Sequence, residues 1–223
     1  MKKLALLSLA VLVFAAFPAG AAAPFDGKLV ALDAGHGGGE VGATGYCSGT
    51  PVAEVDVNLA VRSLLAAKLA AAGADVFLVP QISSRRDRVA EAEAAGADVL
   101  ISIHHNGSSN TATDYTQSFV TQKNDKELAT PVHAALLTAL GLPNKGIKSD
   151  GYGMTVYGSL PGVLTEAFFV TNEEEACDFL NTGARVELEA QAMFDGLAEY
   201  FSSFGGSDGG PDKCSPWPSC RNQ

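Results

Sequence analysis

The hexapeptide AAGADV occurs twice, at residues 71–76 and 94–99. Each copy follows an alanine-rich stretch that favours helix and precedes a short apolar run suited to a buried strand. The similarity stops at this junction, so the chain is not a repeat protein. A helix–glycine–strand junction used twice means that strands alternate with helices. Strands joined this way lie parallel and need helices over their faces. The first strand is predicted at 28–33 (KLVALD), followed by a glycine-rich turn over 35–45. A helix over 55–72 places Val57, Val61, Leu64, Leu65 and Leu69 on one face, with Gly73 at the left-handed stop. Strand 75–80, helix 85–95 with Gly96 behind it, and strand 98–103 complete the first half.

The second half is less regular. It reads as a strand at 117–122, a helix at 127–140 ending before Gly141 and Pro143, a strand at 163–170, and closing helices at 173–180 and 185–204. From residue 205 the composition shifts to Gly, Pro and Ser, and the core ends. The expected fold is α/β: a mostly parallel sheet flanked by helices on both faces, in a single domain. Its functional residues should lie at the carboxyl ends of the strands.

Residues 1–23 (MKKLALLSLAVLVFAAFPAGAAA) have a basic start, an apolar run and a small-residue end, the pattern of a secretory signal peptide. Pro18 and Gly20 interrupt the run before it is long enough to span a bilayer. No cysteine adjoins the cleavage region, which argues against a lipid anchor. Removal takes away two lysines and no acid, moving the net charge from -10 to -12. The expected division is signal peptide 1–23, catalytic domain 24–204 and a Gly/Pro-rich tail 205–223. The mature protein is exported, to the periplasm in preference to full secretion, with no stable membrane association. Its acidity excludes a general nucleic-acid binder, which needs a basic face.

The chain has four histidines. His36 and His104 each follow a predicted parallel strand, so the fold brings them to the same sheet edge. Imidazoles so placed suit a divalent transition metal. A third ligand is expected from Glu54, fixed at the start of the first helix, in preference to Glu40 in the glycine loop. Strand alternation sends His104 and His105 to opposite sides, and His105 is expected to be a polar loop residue, in preference to a substrate contact. Glu166 interrupts the apolar run VLTEAFFV. A carboxylate there is costly unless paired or functional. Two readings stand: a general base with a raised pKa, or an inward glutamate paired with Arg86 or Arg88.

Four segments together, LDAGHGGGEVGATG, VAEVDVNLAVRSLLAAKLAAAGADV, RVAEAEAAGADVLISIHHN and GVLTEAFFVTNEEEACDFL, resemble the zinc-dependent N-acetylmuramoyl-L-alanine amidases of the amidase 3 type. The resemblance implies that His36, Glu54 and His104 bind Zn2+ and that Glu166 is the catalytic carboxylate. The substrate it implies is peptidoglycan, cut between N-acetylmuramic acid and the first L-alanine of the stem peptide. The chain departs from the family pattern at His105, where a small or acidic residue is usual, and at Glu93, which replaces an asparagine. Only about sixty residues separate His104 from Glu166, too few for the inhibitory helical insertion of some members. An open cleft with no obligatory activator is therefore expected. Two other functions fit the same residues: a zinc peptidase cutting within the stem peptide, and a catalytically silent wall-binding module.

Four cysteines allow three pairings. Cys214 and Cys220 are close in the tail and form the simplest bridge, around Trp217. Cys47 and Cys177 remain, either bridged across two active-site loops or left as free buried thiols.

Overall fold

The computed structural model describes residues 24–122, 124–149 and 153–204. Residues 1–23, read above as a signal peptide, and the tail with Cys214, Trp217 and Cys220 lie outside these residues.

The strands are β1 (Leu29–Ala34), β2 (Thr44–Cys47), β3 (Thr50–Ala53), β4 (Asp75–Leu78), β5 (Val99–Asn106), β6 (Thr116–Val120), β7 (Asn144–Ser149) and β8 (Gly162–Phe169). The helices are α1 (Glu54–Ala71), α2 (Arg85–Ala94), α3 (Asp125–Leu140), α4 (Glu173–Asn181) and α5 (Ala184–Phe204), with a four-residue 3-10 helix at Gly153–Val156. Six strands form one sheet in the order β4-β1-β5-β8-β6-β7, and β2 pairs with β3 in a separate hairpin.

β4, β1, β5 and β8 are mutually parallel. This is the arrangement expected from the AAGADV junctions, and Gly73 and Gly96 adopt the left-handed conformation there. β6 runs antiparallel to β8. The link from β5 to β6 contains no described helix and is too short for a parallel crossover. α3 then carries the chain across to β7, parallel to β6. β7 (NKGIKS) was not expected from the sequence. It is a mostly exposed edge strand whose lysines suit an edge better than a core.

The two faces of the sheet are covered unequally. α1, α3 and α5 pack over one face, where Val57, Val61, Leu65 and Leu69 of α1 meet Val30, Leu32, Ile101 and Ile103 of the strands. The other face has a smaller cluster: Ala31, Val79, Val89, Ala92, Leu100 and Met154, supplied by α2 and the 3-10 helix. Every residue of β8 is buried, as expected for a strand covered on both sides. The thinner face leaves room above the ends of β1, β5 and β8, and the cavity lies there.

The hairpin β2–β3 was also not expected. It delivers the chain directly into α1, so Glu54 is the first helical residue. Cys47 on β2 is bonded to Cys177 on α4, the pairing across two loops considered from the sequence.

Candidate metal centre

His36 sits two residues past β1, His104 near the end of β5, and Glu54 at the first turn of α1. Their ligand atoms lie within 4.8 Å of one another, and they are the metal-type cluster found among the described residues. The Glu54 carboxylate faces both rings. Its Oε2 is 3.0 Å from His36 Nε2, and its Oε1 is 3.0 Å from His104 Nδ1. Main-chain amides support the same two oxygens: Ala43 N–H donates to Oε2 at 2.9 Å and His105 N–H to Oε1 at 3.1 Å. Burial opposes ionisation of Glu54, but hydrogen bonds from His104 and His36 outweigh it and hold the carboxyl well below the usual range. Bonding to Glu54 in turn raises His36. Glu40, the competing ligand, lies 4.0 Å from the far nitrogen of His36, with its side chain 75% exposed.

The donor set fits a divalent metal of the zinc type. Two imidazoles and one carboxylate converge and leave room for a further ligand. The space is made by glycines: a Cβ on Gly35 would overlap the His104 ring, and one on Gly42 would overlap Glu54 and the His36 ring. The side chains of His36 and His104 are 25% and 17% exposed, so the site can be reached from solvent.

The site occupies the wall of a cavity of about 440 Å³ that also includes Asp33, Ser83, Arg85, Met154, Leu164 and Glu166. Glu166 pairs in register with His104 across the β5–β8 ladder. It is 7% exposed, and its Oε2 has no hydrogen-bond partner among the described residues. Burial first, and the negative charge of Glu54 second, push its carboxyl well above the usual range. Arg88 does not pair with Glu166. It pairs with Asp33 at 3.0 Å, and Arg86 lies over the ring of Tyr157. The salt-bridged alternative for Glu166 is therefore replaced by an unpartnered buried carboxyl beside the metal-type cluster.

Sequence reasoning missed the supports of this cluster. Arg88 donates to the carbonyl oxygens of Ala34, His36 and Ile82 as well as to Asp33, and Asp33 accepts from Ser102 Oγ at 2.8 Å. The arginine thereby holds His36 in its left-handed conformation, φ 66°, which is unfavourable for a side chain with a Cβ. His105 is not a loop residue. It is a strand residue on the opposite face, 1% exposed.

The amidase 3 family model, N-acetylmuramoyl-L-alanine amidase, matches residues 30–199. The chain belongs to the amidase 3 family. Among relatives of this family member, YqiI of Bacillus subtilis is 34% identical, over 81% of this chain and 88% of its own. The N-acetylmuramoyl-L-alanine amidase LytC of B. subtilis is 31% identical over 80% of this chain, which corresponds to 36% of LytC. The catalytic domain of CwlV, an N-acetylmuramoyl-L-alanine amidase from Bacillus (Paenibacillus) polymyxa, superimposes with a TM-score of 0.71 at 29% identity, covering 78% of this chain and 98% of that domain. The fold of the CwlV catalytic domain is the fold of this chain, and as a member of the family the chain is a peptidoglycan amidase.

Proposed function

We propose that this amidase is an exported zinc enzyme that cleaves the amide between N-acetylmuramic acid and L-alanine. In this reading His36, Glu54 and His104 hold Zn2+ and Glu166 is the catalytic carboxylate. The observation that carries it is the placement of an unpartnered buried glutamate directly across the ladder from a histidine of a His/Glu/His cluster.

Bound zinc would acidify a coordinated water and polarise the scissile carbonyl. The protein's own contribution is positional and protic. Glu54, held by two amide donors, fixes the spacing of the two imidazoles. Glu166 accepts a proton from the attacking water and returns one to the leaving L-alanine amine, so its net charge is restored in each cycle. Its high proton affinity suits both halves of that task. A dication nearby would draw Glu166 toward its ionised form, which is the form needed to accept.

Residues 24–204 would form the catalytic domain, preceded by a signal peptide and followed by a short tail. The reading places the enzyme in the periplasm, acting without an obligatory activator. In its support, the described chain between β5 and β8 consists of β6, α3, β7 and the 3-10 helix, and His36 and His104 remain partly exposed. No helix among the described residues is long and apolar enough to cross a membrane. Removal of metal by a chelator should abolish release of stem peptides from purified peptidoglycan, and added Zn2+ should restore it. Undiminished release from metal-free protein would overturn the zinc assignment.

A further inference from the structure

We propose that His105 is a positioning residue whose buried ring ties together the backbone carriers of all three metal ligands. The inference rests on the zinc reading above and concerns the opposite face of the sheet. His105 follows His104 on β5, and its side chain is fully buried beneath α1 and α5. Nδ1 lies 2.7 Å from Asn58 Oδ1, and Nε2 lies 2.8 Å from Glu189 Oε2. The ring packs 4.2 Å from that of Phe168, centroid to centroid.

The orientation of Asn58 is fixed by its second bond. Its Nδ2 donates to the carbonyl of Gly35 at 3.1 Å, so Oδ1 faces His105 and accepts from Nδ1–H. Three carriers meet here. His105 adjoins His104 in sequence, Asn58 lies one turn beyond Glu54 on α1, and Gly35 immediately precedes His36. The His105 main-chain N–H also reaches Glu54 Oε1. Glu189 closes the arrangement by anchoring the ring to α5.

Stability does not explain such a group. A buried histidine–carboxylate pair is usually no more stabilising than apolar residues of similar volume, and Glu189 Oε1 lacks a hydrogen-bond partner among the described residues. A fixed geometry for the ligand carriers is what the network supplies. Groups outside the ligand shell that orient metal ligands commonly change metal affinity about 10–100-fold when removed.

The test compares wild type, His105→Gln, Glu189→Gln and the apolar double variant His105→Leu/Glu189→Leu. It reads three quantities: zinc affinity by chelator competition, the melting midpoint of the metal-free protein, and kcat against KM. The double variant should remain folded, with a midpoint lowered only by the loss of the donor to buried Asn58 Oδ1, bind zinc at least tenfold more weakly and lose kcat with little change in KM. His105→Gln, which can still donate to Asn58, should regain part of the zinc affinity. A folded double variant that binds zinc as tightly as wild type overturns the proposal. If the double variant does not fold, Glu189→Gln carries the test: weakened zinc binding supports the proposal, and unchanged binding overturns it. Wild-type protein that takes up no zinc would instead overturn the metal-site reading, and this inference with it.

Discussion

The guanidinium of Arg88 hydrogen-bonds the main-chain carbonyl of His36, so a helix on the thinner face of the sheet fixes the backbone of a candidate metal ligand. The same side chain neutralises Asp33, which is completely buried. Arg88→Ala would leave Asp33 without its ion-pair partner, with only the more distant Arg62 charge nearby, and free the His36 loop. Breaking a buried pair from one side costs about 3–5 kcal/mol. Denaturant unfolding of the metal-free protein should show a loss of that order, and zinc affinity should fall with it. An unchanged unfolding midpoint would refute this role.

Much of this arrangement can be read from the residues, and the unread part has a physical reason. The AAGADV junctions required parallel neighbours, and parallel neighbours put His36 and His104 at one sheet edge. Glu166 stood out because a lone carboxylate in VLTEAFFV needs an explanation. Arg88 stood out only as a possible partner of Glu166; its actual partners are Asp33 and the main-chain carbonyls of Ala34, His36 and Ile82, and bonds to main-chain carbonyls leave no pattern in sequence. Glu189 and Asn58 were legible in principle. Glu189 occupies a core position on the face of α5 that carries Val186, Ala190, Met193 and Leu197, and Asn58 shares the buried face of α1 with Val57 and Val61. β7 carries no alternation because little of it is buried.

Glu166→Gln should leave zinc binding intact and slow hydrolysis by about 10²–10⁴-fold, the usual contribution of a general acid–base group. The amide keeps the shape of the side chain but has no carboxylate to accept a proton. Zinc content and turnover measured on the same preparation check this. Near-normal turnover with full zinc occupancy would remove Glu166 from catalysis.

The Cys47–Cys177 bond joins the β2–β3 hairpin to α4 across a sequence separation of 130. The hairpin leads straight into Glu54. Closing so long a loop restricts the unfolded chain, and loss of such a bond costs roughly 2–4 kcal/mol. A Cys47→Ser/Cys177→Ser variant should unfold at lower denaturant concentration by that margin. Its zinc affinity should also fall, because Ala43 and Glu54 are no longer held by a tethered hairpin. A variant with the stability and zinc affinity of wild type would contradict both expectations.

Glu175 should contribute to the pH dependence of stability. Burial pushes its carboxyl up to about 7 against the pull of Arg185, and the negative charge of Asp114 adds to the rise. A carboxyl raised on folding binds its proton more tightly in the folded state. Its contribution to stability is therefore complete below about pH 4.5, the value of an unperturbed glutamate, and is lost as pH rises through about 7. Asp114→Asn removes the negative neighbour while its amide oxygen can still accept from Phe169 N–H, as Asp114 Oδ1 does. Melting midpoints across pH 5–8 should fall less steeply in Asp114→Asn than in wild type. Parallel profiles would show that the pair does not govern this range.

The most direct test of the central claim is mass spectrometry of peptidoglycan fragments after digestion by the zinc-loaded enzyme. Stem peptides should appear with a free amino group on L-alanine, and the glycan should keep muramic acid with a free lactyl carboxylate. New amino and carboxyl ends within the stem peptide, with the muramic acid–L-alanine amide intact, would contradict the account.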